Sequence, residues 1–250
     1  MFTDTHCHIY REYYESIPEV IHRALENGVN RFILAGASMR DNQEVLELIQ
    51  EYPSMYGTIG LHPEEADRYT QEDLLFLEQH LKDGKVIGIG EIGLDYHYTK
   101  ENKERQKELF RSQLRLAQEY HLPVVVHSRE ATEDTICILK EFPDVRGVIH
   151  SFSGSLETAH IYIKMGYKLG INGVVTFKNS HLKEILPEIV SNIILETDSP
   201  YLTPHPYRGT QNEPKYVALI ADFICEELDI SKSQLEKITN QNISTIFDIS

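Results

Sequence analysis

The feature that most constrains the fold of this chain is a repeated unit. In each repeat, a short apolar run rich in β-forming residues is followed by a polar turn and an amphipathic stretch of helix length. The candidate strands are Phe2 to Thr5, Arg31 to Ala35, Met55 to Ile59, Val86 to Gly90, Val124 to Val126, Gly147 to Ile149, Lys168 to Ile171 and Ile193 to Leu195. Alternating strands and helices form parallel sheets, and eight units in 250 residues is the usual size of a barrel. The sequence therefore predicts an α/β fold, a single (β/α)8 barrel of the TIM type.

The segments between these strands carry helical periodicity. The stretch from Ile17 to Asn27 places its apolar residues on one helical face. Further helices are predicted over Lys100 to Tyr120, Ala131 to Phe142 and Tyr216 to Leu228, with Pro214 in the first helical turn before the last of them. An open doubly wound sheet is the alternative architecture, but no Gly-x-Gly-x-x-Gly motif follows the first strand.

No Pro-, Ser- or Gly-rich linker divides the chain, so residues 1–250 are predicted to form one domain. The N-terminus lacks the basic region and apolar core of a signal peptide, and the apolar runs are too short to span a membrane. Cys7, Cys137 and Cys225 show no CxxC pairing, which is typical of reduced thiols. We therefore expect a cytoplasmic protein with no membrane association, and the sequence indicates no obligate protein partner.

The formal net charge of −15 limits the partners that this chain can bind. Such a charge repels polyanions at long range, which argues against a broad surface for duplex nucleic acid. It argues only weakly against an enzyme that takes one end of a strand into a pocket.

Histidine and acidic residues follow the predicted strands at the same end. They are His6 and His8 at strand one, Glu91 at strand four, His127 at strand five, His150 at strand six and Asp198 at strand eight. Because the carboxyl ends of barrel strands converge on one face, these residues are predicted to be neighbours. Such a set favours a metal cluster at the C-terminal ends of the strands.

The spacing of His6 and His8 supports chelation. Two residues apart on a strand, they point the same way, while Cys7 points to the opposite face. Imidazoles together with carboxylates suit zinc, manganese or other divalent ions, and Glu91 can bridge two ions as a histidine cannot. The ligand types alone therefore permit a two-metal site.

Three further residues are predicted to contact substrate. His62 follows strand three on the catalytic face, Arg129 lies two residues beyond His127, and Arg208 lies in the loop after strand eight. A guanidinium group suits phosphate, because its planar fork of donors matches the phosphate oxygens.

In their order along the chain, five motifs resemble those of the TatD-like metal-dependent deoxyribonucleases. They are Asp4-Thr5-His6-Cys7-His8, Gly90-Glu91-Ile92-Gly93-Leu94-Asp95-Tyr96, His127-Ser128-Arg129, His150-Ser151-Phe152 and Glu196-Thr197-Asp198-Ser199-Pro200-Tyr201-Leu202. The resemblance implies two divalent ions: zinc, magnesium or manganese. One is held by His6, His8 and Asp198 and the other by His127 and His150, with Glu91 shared between them.

The resemblance also implies a substrate and a reaction. The expected function is a deoxyribonuclease resembling a 3′-5′ exonuclease. It cleaves phosphodiester bonds at DNA ends with a metal-bound water whose pKa is lowered toward about 7. Asp198 and Glu91 are the expected catalytic residues. A metal-dependent hydrolase of small-molecule esters or amides is the first alternative. A non-catalytic metal-binding protein is the second, and it would close its coordination shell against water.

Overall fold

A computed structural model describes residues 1–97 and 101–249 of the chain. The strands are β1 (Phe2–Cys7), β2 (Val29–Ala35), β3 (Met55–Ile59), β4 (Val86–Asp95), β5 (Val124–Arg129), β6 (Gly147–Ile149), β7 (Tyr167–Ile171) and β8 (Ile193–Leu195). The α-helices are α1 (Ile17–Glu26), α2 (Met39–Glu51), α3 (Gln71–His80), α4 (Lys103–Tyr120), α5 (Thr132–Lys140), α6 (Leu156–Lys164), α7 (Leu182–Ile189), α8 (Val217–Leu228) and α9 (Lys232–Phe247).

The eight strands follow one another in the sheet in the order of the sequence. β1 pairs with β2, β3 to β6 pair in succession, and β7 pairs with β8, all in parallel. β1 also meets the end of β8, where the Thr5 hydroxyl donates to the Leu195 carbonyl at 2.9 Å. This architecture confirms the predicted (β/α)8 barrel.

Contacts within the chain group it into two compact units. The first unit contains Met1–Leu34, Ser151–Lys164 and Lys168–Ser250, and the second contains Ala35–His150 and Met165–Tyr167. The first unit therefore carries β1, β8 and most of β2 and β7, while the second carries β3 to β6. The prediction of a single domain over residues 1–250 stays a prediction.

Local sequence signals explain where several helices begin. Ser16 accepts a hydrogen bond from Glu19 N–H at the start of α1, and Thr70 and Asp73 form a capping box at the start of α3. Pro214 begins a short 3-10 helix, Pro214–Tyr216, which leads into α8. The predicted start of the fourth helix at Lys100 lies outside the described residues.

The strands β1, β2, β4, β5 and β7 are longer than the sequence predicted, and the extensions of β4 and β5 are the largest. β4 was expected to end at Gly90 and β5 at Val126, but the two strands continue side by side, with Gly93 opposite His127 and Asp95 opposite Arg129. The polar residues that were expected at the strand ends therefore lie within the pairing of β4 with β5, and every residue of β4 is buried.

The described part of the chain contains no helix that is both long enough and apolar enough to cross a membrane.

Candidate metal centre

His6, His8 and Asp198 form one group of side chains that could hold a metal ion, and we call this group the first ligand cluster. Asp198 Oδ1 lies 3.7 Å from His6 Nε2 and 3.5 Å from His8 Nε2. The two imidazole rings meet edge to face, with centroids 5.1 Å apart. Both histidines are buried, and Asp198 is nearly so. The alternation of side chains along β1 therefore brings both imidazoles to the same carboxylate, as their spacing predicts.

Main-chain hydrogen bonds hold this cluster together. Asp198 N–H donates to the His6 carbonyl at 2.9 Å, and His8 N–H donates to the Ser199 carbonyl at 2.7 Å. Asp198 has a φ of 58°, in the left-handed region that Asp tolerates better than most residues. The chain thus turns at the carboxylate ligand itself, immediately beside β1.

Asp4 joins the same two segments from within the core. It is fully buried and accepts hydrogen bonds from Thr197 N–H at 2.9 Å and from the Thr197 hydroxyl at 2.5 Å. Burial raises the pKa of Asp4 to about 8, against the opposing effect of these hydrogen bonds. Cys7 is buried with its sulfur 3.5 Å from the Ile33 carbonyl of β2, so it faces away from the histidines, as predicted.

In the second unit, Glu91 is the centre of another group, the second ligand cluster. Its Oε1 atom lies 2.8 Å from His127 Nδ1, 3.7 Å from His150 Nε2 and 3.7 Å from His62 Nε2. His62 and His127 contact each other edge to face, with ring centroids 4.6 Å apart. The structure thus places the predicted substrate residue His62 among the predicted ligands of β4, β5 and β6.

Two of these ligands do not lie where the sequence predicted. Glu91 was expected to end strand four and His127 strand five, but each lies inside a strand that continues beyond it. Arg129 was expected in a loop and is the last residue of β5, with an exposed side chain and a carbonyl that accepts a hydrogen bond from Tyr96 N–H. The reason is the extended pairing of β4 with β5, which ends only at Asp95 and Arg129.

Asp95 is a site residue to which the sequence analysis gave no role. Its Oδ2 atom lies 3.0 Å from His127 Nε2, on the side of the ring opposite Glu91. Its Oδ1 atom accepts a hydrogen bond from His97 N–H at 2.8 Å. The signal was present in the strand alternation, because Glu91, Gly93 and Asp95 are spaced by two and share one face of β4.

Burial and neighbouring charges shift the pKa values of this cluster. Burial opposes the charged form of His127, but its hydrogen bonds to Asp95 and Glu91 outweigh that effect and raise its pKa to about 9. Burial also acts to raise the pKa of Asp95, yet the hydrogen bond from His127 holds it below its usual value. His62 differs, because burial lowers its pKa to about 4 and keeps the ring neutral.

The first ligand cluster has the chemistry and spacing of a divalent metal site. Its ligand atoms all lie within 4.8 Å of one another. The separations of 3.5 and 3.7 Å between Asp198 and the histidines are too long for direct hydrogen bonds. They are close to the distance of about 3.4 Å that separates two ligand atoms in a tetrahedral site whose metal–ligand bonds are about 2.1 Å long. Two imidazoles with one carboxylate also match the ligands that zinc prefers.

Arg208 lies in a cationic cleft of the first unit. Its guanidinium group stacks on Phe177, 3.8 Å from the ring centroid. Phe177, Lys178, His205 and Arg208 line a cavity of about 690 Å³ together with Thr176 and Asn179. Within the described part of the chain, neither Arg208 nor Lys178 forms an ion pair with a carboxylate. The cleft therefore keeps its positive charge in a chain with a net charge of −15.

Comparison with known proteins connects this site to a family. The sequence profile described as TatD related DNase matches residues 3–248. The metal-dependent hydrolase YabD of Bacillus subtilis, itself uncharacterized, is 42% identical over 254 residues, with 100% of both chains covered. The 3'-5' ssDNA/RNA exonuclease TatD of Escherichia fergusonii is 32% identical, with 93% of each chain covered.

A solved structure agrees with these sequence relatives. The TatD homolog YjjV of Escherichia coli K12 superposes with a TM-score of 0.95 and 30% sequence identity, covering 100% of this chain and 98% of the other. The relatives thus match over nearly their whole length, and the family profile spans almost every residue. The resemblance seen in the motifs is confirmed, and this chain belongs to the TatD related DNase family.

Proposed function

We propose that this chain is a metal-dependent deoxyribonuclease that removes nucleotides from the 3′ end of single-stranded DNA. The observation that carries the proposal is the presence, within one compact unit, of the first ligand cluster and of the cationic cleft around Arg208. A relative that matches nearly the whole chain is named a 3'-5' ssDNA/RNA exonuclease, which supports the same substrate class. An enzyme that takes one strand end into a cleft is also compatible with an acidic surface.

The proposed ligands follow the two clusters. His6, His8 and Asp198 would hold one divalent ion, and His127 and His150 a second. Glu91 is proposed as the shared ligand, by analogy with the motifs of the family. Zinc, magnesium and manganese all suit this combination of imidazole and carboxylate ligands. When bound, such ions supply a water of lowered pKa and stabilise charge on the phosphoryl oxygens.

Side chains of this protein would transfer the proton and bind the phosphate. Asp198 orients the attacking water and accepts its proton, which is general-base catalysis. His62 is neutral and accepts a hydrogen bond from Glu64 N–H at Nδ1, at 3.3 Å. Its proton therefore lies on Nε2, the atom that faces Glu91, and Nε2–H can donate to a phosphoryl oxygen bound there. Arg129 and Arg208 are proposed to bind phosphate through their guanidinium groups.

The competing function is hydrolysis of small-molecule esters or amides. An uncharged ester needs no cation to bind it, so the positive charges of Arg208 and Lys178, which have no carboxylate partner among the described residues, favour a phosphate substrate instead. We infer a reducing, cytoplasmic environment from the three free cysteines, Cys7, Cys137 and Cys225.

Removal of metal tests the proposed function. Treatment with excess chelator should reduce hydrolysis of single-stranded DNA by orders of magnitude, because the reactive water depends on the metal. Adding back zinc, manganese or magnesium should restore activity, followed as release of labelled nucleotides. Chelator that has been saturated with metal beforehand is the control. Full activity in excess free chelator would contradict the proposal.

Asp95 provides a test of the ligand assignment in the second unit. Its hydrogen bond to His127 Nε2 orients the ring that we propose binds metal through Nδ1. Asp95→Asn removes the charge while preserving the shape, and it should weaken the affinity for one ion by about 10- to 100-fold. The measurement is competition with a chromogenic chelator.

Asp134→Asn is the matched control for this variant. Asp134 also accepts side-chain hydrogen bonds, from the Tyr96 hydroxyl at 2.7 Å and from Lys107 Nζ at 2.9 Å, but it does not contact His127 in the described structure. Its metal affinity should equal that of the unmodified protein. Equal affinity in both variants would show that Asp95 does not position a metal ligand.

Replacement of Arg208 distinguishes an effect on substrate binding from an effect on the chemical step. Arg208→Ala should raise KM for single-stranded DNA by about tenfold or more, since a charge-assisted hydrogen bond contributes about 1.5–3 kcal/mol. It should leave hydrolysis of a small uncharged ester nearly unchanged. Arg115→Ala, an equal loss of charge on the exposed side of α4, is the control. Equal losses on both substrates would indicate a structural role for Arg208 and favour the small-molecule function.

A further inference from the structure

Three tyrosines stand beside the first ligand cluster, and we call them the aromatic ledge: Tyr10, Tyr13 and Tyr201. Tyr10 and Tyr201 both meet the ring of His8, with centroids 5.7 and 6.3 Å apart. Tyr13 stacks on Tyr10 at 6.0 Å and meets the edge of Tyr201 at 6.1 Å. The ledge is therefore continuous with a proposed metal ligand.

The outer face of the ledge is open to solvent. Tyr10 is buried, Tyr13 is partly exposed, and the Tyr201 side chain is 52% exposed. Tyr201 and its neighbour Leu202 are both exposed large hydrophobic residues in the loop that follows Asp198. Exposed apolar area concentrated beside a reaction centre is typical of a binding surface.

Hydrogen bonds fix the ledge in position. The hydroxyl groups of Tyr13 and Tyr201 lie 3.1 Å apart and form a hydrogen bond. Tyr201 N–H donates to the Asp198 carbonyl at 2.9 Å, and Gln211 Nε2 donates to the Tyr13 carbonyl at 2.6 Å. A ring that is fixed before binding loses little conformational freedom when a ligand stacks on it.

We propose that the aromatic ledge binds an unpaired nucleobase at the end of the strand being hydrolysed. Because Tyr10 and Tyr201 both contact His8, an occupant of the ledge lies one aromatic ring away from a proposed metal ligand, so it belongs to the molecule that the metal centre would process. In a nucleic acid, the planar group that matches an exposed tyrosine ring is a base, and stacking contributes about 1–3 kcal/mol per base. This inference rests on the proposed function and adds a physical reason for preferring single strands, since a paired base cannot reach the ledge.

The test compares two single-stranded oligonucleotides. One is unmodified, and the other carries abasic tetrahydrofuran residues at its last two 3′ positions. Tyr201→Ala should raise KM on the unmodified strand by about tenfold, and it should change KM on the abasic strand by less than about twofold, because no base remains to stack. For the unmodified protein, KM on the abasic strand should be about tenfold higher than KM on the unmodified strand.

Two variants distinguish stacking from a structural role. Tyr201→Phe keeps the ring and loses the hydroxyl bond to Tyr13, so it should retain most of the affinity. Tyr207→Ala removes an exposed tyrosine of the same loop that packs against Tyr216, with ring centroids 5.3 Å apart, and it should leave KM unchanged. Thermal unfolding of each variant shows whether the fold is preserved.

A binding measurement gives a readout that is independent of catalysis. The strand carries 2-aminopurine at its 3′ end and phosphorothioate linkages that resist hydrolysis. Stacking on the ledge should quench its fluorescence with the unmodified protein and with Tyr201→Phe, but far less with Tyr201→Ala.

The outcomes separate this inference from the proposed function. If the unmodified protein degrades DNA and Tyr201→Ala loses equal affinity for both strands, or loses none, the ledge does not bind a base. The same conclusion follows if Tyr201→Phe behaves like Tyr201→Ala, or if Tyr207→Ala shows the same loss. If the unmodified protein leaves both strands intact, the nuclease proposal itself is wrong and the inference is wrong with it.

Discussion

The meeting of β1 with the segment after β8 is the constraint on which the first ligand cluster depends. His6 and Asp198 are far apart in the sequence, yet a main-chain hydrogen bond of 2.9 Å joins them. Asp4 reinforces the contact through its hydrogen bonds with Thr197, and burial raises the pKa of Asp4. Because the carboxylate ligand is positioned by hydrogen bonds to the strand that carries the imidazoles, the ligand separations are set by the closure of the sheet. The loop after Asp198 then starts from a segment that is hydrogen-bonded to β1.

The second unit uses side-chain amides for a similar purpose. Gln106 on α4 accepts a hydrogen bond from Asp95 N–H at 2.9 Å and donates to the Asp95 carbonyl at 2.8 Å. Gln113, two turns further along the helix, forms the same pair of bonds with Leu61, next to His62. Each amide satisfies the main-chain groups of a residue at or beside the second ligand cluster. Such groups are costly to bury without partners, so these glutamines stabilise the ends of two strands where loops begin. The helix thus supports the site as well as the core.

Periodicity was enough to predict the strands and their order, because each strand is a short apolar run that recurs at similar spacing. It failed at the ends of β4 and β5, where polar residues were taken as strand ends although the pairing continues to Asp95. The role of Asp95 was missed for the same reason. Had strand four been extended beyond Glu91, the alternation of side chains would have placed Asp95 on the same face as Glu91. Gln106 and Gln113 could not be assigned a function from the sequence, because an amide on a helix gains its role only from the loop packed against it. The proximity of the histidines to the carboxylates was easier to predict, since residues that follow the strands of one barrel lie on the same face.

The direction in which the protein degrades end-blocked DNA tests most directly the claim that it removes nucleotides from the 3′ end. A metal centre that acts on strand ends must recognise which end it holds. The measurement uses single-stranded oligonucleotides that carry several phosphorothioate linkages at either the 3′ or the 5′ end, incubated with the metal-loaded protein. We predict that the 5′-blocked strand shortens one nucleotide at a time and that the 3′-blocked strand resists. Equal degradation of both strands, cleavage at internal positions, or degradation only from the 5′ end would contradict this claim.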